Sequence, residues 1–305
     1  MPVIDVRNLV KAYAGNRAVD GLSFTVGHGE VYGLLGENGA GKSTTIEILE
    51  GHRSRTSGDV TVLGEDPGDA SRAFRNRIGI VLQSSGIETQ FTVREVLRLY
   101  GDCYHRRRPT DECIELVGLT ESADKRIETL SGGQKRRLDL ALGIVGYPEL
   151  LFLDEPTTGF DPAARHNSWD LIRTLCDGGT TVVLTSHYLD EVEHLADRVG
   201  MIVRGRLVAE GTPDTLTAMS GVTTIRFQLP EGVTVDDAVG TAPGTVSVDA
   251  GTVELTTESP TATLHAVTSW AVDRGVELAG LTVSRPSLED MFLEVTAGEY
   301  GSVDR

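Results

Sequence analysis

The chain has 305 residues, 39% of them hydrophobic and 24% charged, with a net charge of −17 at pH 7. This is the composition of a globular protein with a proper core, long enough for one large domain or two ordinary ones. The acidity disfavours non-specific binding to nucleic acid or anionic lipid, so any membrane association would pass through a protein partner. No run of eighteen apolar residues occurs, and Met1-Pro2-Val3-Ile4-Asp5 has neither the basic region nor the apolar core of a secretion signal. Cys103, Cys113 and Cys176 have no metal-ligand spacing and read as reduced, buried, apolar side chains.

In chain order, residues 3–10 read as a strand, followed by Tyr13 in Lys11-Ala12-Tyr13-Ala14-Gly15. Residues 22–26 and 30–35 give two more strands, parted by a Gly27-His28-Gly29 turn. Gly36-Glu37-Asn38-Gly39-Ala40-Gly41-Lys42-Ser43-Thr44 then fits G-x-x-x-x-G-K-[ST], between an apolar strand and a helix running to Gly51. A strand is expected at 59–63, a helix at 69–77 and a strand at 78–82 that ends at Gln83. Residues 92–104 and 109–118 have helical periodicity, in an inserted helical region reaching about Leu130. Its Arg106-Arg107-Arg108 run reads as solvated surface.

Leu130-Ser131-Gly132-Gly133-Gln134 opens the next helix, in which Lys135-Arg136-Arg137 could pair with phosphate or acidic neighbours but reads more simply as a solvated face. The fully apolar strand Leu150–Leu153 delivers Asp154-Glu155 at its carboxyl end. Helix 162–176, strand 180–185 and helix 188–196 follow, a doubly wound α/β alternation with sites at the strands' carboxyl ends. Beyond Met219 the texture changes. Residues 222–259 read as short strands, 261–273 as a helix, 277–284 as a strand and 287–295 as a last helix. Residues 221–305 hold thirteen acidic residues against four arginines, more than half of the net charge, and read as a separate small α+β domain.

The chemistry accounts for these spacings. A loop wrapped around a phosphate chain turns its N–H groups inward, which glycine permits, and the helix behind it adds free donors and a positive dipole end. Lys42 can reach the terminal phosphates and the Ser43 hydroxyl can take a place on Mg²⁺. Asp154 at a strand end can hold Mg²⁺, and the adjacent Glu155 can deprotonate a water. Ser131, Gly132 and Gly133 offer a hydroxyl and N–H groups at a helix N-terminus, a second anion site.

Residues 1 to about 215 resemble the ATPase subunits of ABC transporters, meeting the family's motifs in order. The resemblance implies Tyr13 as the adenine-stacking aromatic, Gly36–Thr44 as Walker A and Gln83 as the Q-loop ligand of Mg²⁺ and water. It implies Leu130–Gln134 as the LSGGQ signature, Leu150–Glu155 as Walker B with the catalytic glutamate, Gly159-Phe160-Asp161-Pro162 as the D-loop, and His187 as the switch histidine. Phe160 stands where many members carry leucine. The implied fold is an α/β P-loop NTPase of the ABC type: a mixed sheet core, an N-terminal antiparallel β subdomain and an inserted helical subdomain at 84–130. The cassette would span 1–218 and a C-terminal accessory domain 221–305. The other histidines, at 28, 52, 105, 166, 194 and 265, read as structural.

The family further implies a head-to-tail homodimer on ATP binding, with ATP and Mg²⁺ buried between the phosphate loop of one copy and the signature of the other. Ile87–Leu97 and the ending Arg285-Pro286-Ser287-Leu288-Glu289-Asp290-Met291-Phe292-Leu293-Glu294 resemble ABC-2 type exporters of the daunorubicin class. The expected setting is the cytoplasmic face of the cell membrane, beneath a separate ABC-2 permease, exporting a drug, antibiotic or lipid-like cargo. Dimer stabilisation or regulation is the hypothesis for 221–305. Two other classes stay open: a soluble mechanical ATPase of translation or DNA repair, and a nucleotide-binding regulator. The single nucleotide domain and acidic surface weigh against the first, and Glu155 and His187 against the second.

Overall fold

The apolar run Val31–Gly36 forms β3, whose first five residues are all buried. A strand buried on both faces belongs in the middle of a parallel sheet. β3 lies between β7 (Thr181–Thr185) and β8 (Arg198–Val203), parallel to both. β6 (Leu150–Asp154) and β5 (Ile78–Val81) extend the sheet on one side, and antiparallel β9 (Arg206–Gly211) closes the other, in the order β5-β6-β7-β3-β8-β9. We describe residues 1–69, 71–81, 86, 88–157, 159–186, 188–219, 221–230, 232–240, 242–284 and 286–301 of a computed structural model. The chain divides into two units, Met1–Pro213 and Asp214–Arg305.

In the first unit β1 (Ile4–Tyr13), β2 (Asn16–Val26) and β4 (Ser57–Val62) form a separate antiparallel sheet in the order β2-β1-β4. The Phe24 ring of β2 stacks on Tyr32 of β3 at 5.2 Å, which seats this sheet against the central one. Tyr32 is fully buried and donates its hydroxyl to Glu210 (3.1 Å); burial raises its phenol far above the ordinary range. α1 (Lys42–Leu49) follows β3. The helical region holds α3 (Val93–Gly101), α4 (Thr110–Leu116) and α5 (Gly132–Ile144). α3 begins with a reciprocal cap between Thr92 and Glu95. α6 (Pro162–Asp177), capped by Asp161, and α7 (Leu189–Leu195) complete the cassette, and α8 (Pro213–Met219) spans the unit boundary.

Several elements differ from the sequence reading. The helix expected over 69–77 is only α2 (Arg72–Arg75): the Ser71 hydroxyl accepts from Phe74 N–H at 2.9 Å and fixes its start. Its far end is set by Arg77, whose guanidinium is tied to Glu149 and Glu65 where β5 begins. The β8–β9 hairpin was not read from sequence; its turn puts Arg204 and Gly205 at φ 49° and 81°. Of the three cysteines, Cys113 and Cys176 are buried, and burial pushes both thiols up to about 11. Cys103 is exposed, because the chain has left α3 two residues earlier. Arg108 is not simply solvated: its guanidinium lies 4.2 Å from the Tyr147 ring centroid and pairs with Glu112 at 2.7 Å.

The second unit is a four-stranded antiparallel sheet, β11 (Thr245–Asp249), β12 (Thr252–Thr257), β10 (Thr223–Gln228) and β13 (Thr282–Ser284), in that order. Ile225, Phe227, Val253 and Leu255 form its core with Val267 of α10 (Pro260–Arg274) and Ala238 and Val239 of α9 (Val235–Val239). α9 stands where only strands were expected; the Thr234 hydroxyl caps it by accepting from Asp237 N–H. The strand expected over 277–284 pairs only at Thr282–Ser284, after a turn with Gly280 at φ 67°. α11 (Leu288–Gly301) ends the unit.

Candidate active site

The carboxyl ends of β3, β6 and β7 meet in register. Thr185 of β7 stands opposite both Leu34 of β3 and Asp154 of β6. A cleft of about 540 Å³ opens above this row, lined by Ala18, Asn38, Gly39, Gly41, Lys42, Ser43, Thr44, Asp154 and Glu155. The phosphate loop and the acidic pair, 110 residues apart in sequence, therefore share one cavity.

Local rules build the loop. Gly41, which caps α1, has φ 109°, and a Cβ there would stand 2.3 Å from the Ala18 carbonyl oxygen. No side chain could occupy that position. The Thr45 hydroxyl, fully buried, donates back to the Gly41 carbonyl at 2.9 Å. Ala40 is buried, whereas Glu37, Asn38 and Gly39 are exposed at the loop crest. The Lys42 ammonium donates to the carbonyls of Gly36 (2.6 Å) and Glu37 (3.1 Å), so it is held against its own loop. Burial lowers its pKa, opposed by the charges of Glu155, Asp154 and Glu37. An anion entering the cleft would compete with those carbonyls for the ammonium.

The acidic pair is tied to the end of β7. Asp154 Oδ1 accepts from the Thr185 hydroxyl at 2.5 Å, and Glu155 N–H donates to the Thr185 carbonyl at 3.0 Å. Glu155 has φ 49°, a left-handed conformation that a non-glycine residue adopts only when its surroundings impose it. Arg136 supplies part of that constraint. It is buried, at 7% exposure, and donates to the carbonyls of Asp154, Glu155 and Pro156. This corrects the reading of Lys135-Arg136-Arg137 as a solvated face. Three successive helix residues point in three directions, and one of them meets the end of β6. A buried guanidinium within an otherwise charged run has no distinguishing signal in sequence alone.

The signature lies elsewhere. Ser131 caps α5, its hydroxyl accepting from Gln134 N–H (3.3 Å) while Gln134 Oε1 accepts from Ser131 N–H (3.0 Å). Gln134 also donates to Ser122 at 3.1 Å. Ser131 and Gly132 are exposed, and none of Ser131, Gly132, Gly133 and Gln134 lines the cleft. Tyr13, 39% exposed at the end of β1, is not in the cleft lining either. Its hydroxyl accepts from Arg53 at 2.6 Å, and its ring lies 5.0 Å from the Lys11 ammonium. Asp161 caps α6 by accepting from Ala164 N–H at 2.9 Å. Gln83 and His187 lie outside the described residues.

Buried groups behind the site escaped the sequence reading. Glu191 of α7 is fully buried; it accepts from the Ser186 hydroxyl (2.6 Å) and the Trp169 indole (3.2 Å). The Thr157 hydroxyl faces the same carboxylate outside good hydrogen-bond geometry. Burial raises the Glu191 carboxyl, opposed by Ser186, Thr157 and Trp169 and by the charge of Arg165. Glu50, at the end of α1, is 3% exposed, and burial with the nearby charges of Asp154 and Glu47 pushes its carboxyl up to about 8.

Residues 19–158 match the family described as ABC transporter, and residues 223–287 match the ABC transporter domain-containing protein-like, C-terminal domain. The chain is 37% identical over 304 residues to the daunorubicin resistance ATP-binding protein DrrA3 of Streptomyces coeruleorubidus, covering 97% of this chain and 96% of that one. It is 38% identical over 311 residues to the Nod factor export ATP-binding protein I of Burkholderia lata, covering 98% and 99%. Among solved structures, cbiO1 of Clostridium perfringens, part of the ABC transporter complex cbiONQ, superposes with a TM-score of 0.64 at 29% identity, over 72% of this chain and 92% of that one. These names speak of drug resistance, of Nod factor export and of a transporter complex, which leaves the soluble mechanical ATPase without support. The chain belongs to the ABC transporter family, as an ATP-binding and ATP-hydrolysing subunit of its ABC-2 exporter group.

Proposed function

We propose that two copies of this chain bind two ATP molecules head to tail, the phosphate loop of one copy and the signature of the other closing on each nucleotide. The observation that carries this reading is the cleft lining. Lys42, Ser43, Asp154 and Glu155 share one cavity, while Ser131, Gly132 and Gly133 stand outside it at the start of α5, the first two of them exposed. An anion-binding helix start that stands outside its own cleft would find its phosphate in a second copy. The cassette would comprise residues 1–218, with 84–130 receiving the permease, and 221–305 an accessory domain that stabilises or regulates the dimer.

In this reading the loop N–H groups and Lys42 hold the β- and γ-phosphates, and Asn38, Gly39 and Thr44 complete the cradle. Glu155 orients a water and takes its proton as the water oxygen attacks the γ-phosphorus, leaving ADP and inorganic phosphate. His187 would hold the γ-phosphate, Tyr13 would stack on adenine, and Asp161 would fix the start of α6 at the interface. Ser43, Asp154 and Gln83 would hold Mg²⁺. The hydroxyl and carboxylate that reach the cleft are hard oxygen donors, which suit it. The metal would neutralise charge on the phosphates. Loss of the γ-phosphate removes the contact with Ser131 and Gly132, and the two copies part.

The partner would be a separate ABC-2 permease at the cytoplasmic face of the cell membrane. No helix among the described residues is long and apolar enough to cross a membrane. The cargo would be drug, antibiotic or lipid-like. The relatives' names carry both daunorubicin resistance and Nod factor export on similar chains, which supports the reading that cargo is chosen outside this subunit. The test is Ser131→Arg. It should leave ATP binding to the single copy within about threefold and abolish both ATP-dependent dimerisation and hydrolysis. Unimpaired hydrolysis in this variant would refute the head-to-tail site.

A further inference from the structure

We propose that Arg136 is a positioning residue for hydrolysis: it locks the Glu155 turn in its active shape and fastens it to the helix that carries the signature. The inference rests on the reading of Glu155 as the base. Arg136 Nε donates to the Pro156 carbonyl at 3.0 Å, and its Nη2 donates to the carbonyls of Asp154 at 2.7 Å and Glu155 at 2.5 Å. One planar fork thus gathers three consecutive carbonyls at the end of β6. The turn it grips contains the left-handed Glu155, at φ 49°. Such a conformation persists only where neighbouring groups hold it. On its other side the N–H of the same residue donates to the Thr185 carbonyl at 3.0 Å. Removing the fork would free the peptide groups on both sides of Glu155 to rotate, and the carboxylate would leave the line of attack.

Arg136 is an unusual choice for a structural filler. It is 7% exposed, and its acidic neighbour Asp139 stands at 3.9 Å, longer than a good ion pair. Burial lowers its pKa, opposed by Asp139, Asp154, Glu155 and Glu191. A guanidinium placed there has its fork committed to backbone oxygens, a task lysine cannot do with one point charge. Arg136 is also two residues beyond Gln134. Any shift of the α5 start as it engages a nucleotide is carried by that one side chain to the Glu155 turn.

The test is a cycle of Arg136→Lys, Glu155→Gln and the double variant, in full-length protein with Mg²⁺ and ATP. It reads single-turnover hydrolysis, ATP affinity and melting temperature. Arg136→Lys is expected to lose about tenfold or more in rate, as a misplaced general base does, with ATP affinity within about threefold. The double variant is expected to be no slower than Glu155→Gln alone, since the fork acts through that carboxylate. A normal rate in Arg136→Lys beside a slow Glu155→Gln would overturn the proposal, as would losses that multiply in the double variant. A fast Glu155→Gln would instead overturn the assignment of the base. If the lysine variant does not fold, Arg136→Gln, which keeps an amide donor, carries the same comparison.

Discussion

The two units bury different chemistry. Around the strand ends of Met1–Pro213 the buried groups include three ionisable side chains, Glu50, Arg136 and Glu191. In Asp214–Arg305 the fully buried polar residues among those described are threonines, Thr217, Thr257, Thr263 and Thr296, and the Trp270 indole nitrogen is buried with them. Those hydroxyls are satisfied close by: Thr263 donates to the Pro243 carbonyl at 2.7 Å and meets Thr257 at 2.8 Å. Burying an ionisable group carries a desolvation cost that burying a hydroxyl does not. The contrast sets a first unit with ionisable groups behind its candidate site against a second whose buried residues are apolar or hydroxyl-bearing.

That contrast can be broken by substitution. The largest effect is expected at the site. Glu155→Gln should bind ATP and lose about 100-fold or more in turnover, measured by phosphate release. Gly41→Ala should follow. Its Cβ would meet the Ala18 carbonyl at 2.3 Å in a φ of 109°, strain of about 1–3 kcal/mol or more. Both melting temperature and ATP affinity should fall.

Behind the site, Glu191→Ala leaves the Ser186 hydroxyl and Trp169 indole without their acceptor, a loss of about 2 kcal/mol in denaturant unfolding. Glu191→Gln probes pH instead. Burial raises this carboxyl above its ordinary 4.5, so its protonated form is the one the fold favours. The associated stability is complete below pH 4.5 and is lost as pH rises through the raised value. The glutamine variant escapes that loss, so its stability relative to wild type should improve from pH 4.5 upward. A difference independent of pH would show that Glu191 titrates normally. The smallest effect belongs to the second unit. Thr263→Val should cost about 1 kcal/mol and leave ATP hydrolysis unchanged. A matching loss of turnover would erase the distinction between the units.

The same contrast explains what could be read from sequence. The phosphate loop was legible because its geometry demands glycine at fixed steps, as the Ala18 carbonyl beside Gly41 illustrates. The apolar run before Asp154 announced a buried parallel strand, and that is what β6 is. Arg136 was not legible: its role depends on which side of α5 meets the end of β6, a tertiary fact. The same holds for Glu191, whose partners Trp169 and Ser186 come from α6 and the end of β7. In the second unit the strand pattern announced an α+β fold, but a hydroxyl-satisfied core carries no chemical motif. Nothing in it pointed to a task.

The central claim is that the nucleotide is shared between two copies. It is tested most directly by the mass in solution of full-length Glu155→Gln, with saturating ATP and Mg²⁺ and then with ADP. The account predicts a dimer with ATP, two nucleotides bound, and a monomer with ADP. A Glu155→Gln protein that binds ATP fully and remains a monomer, alone or with its permease, would contradict it.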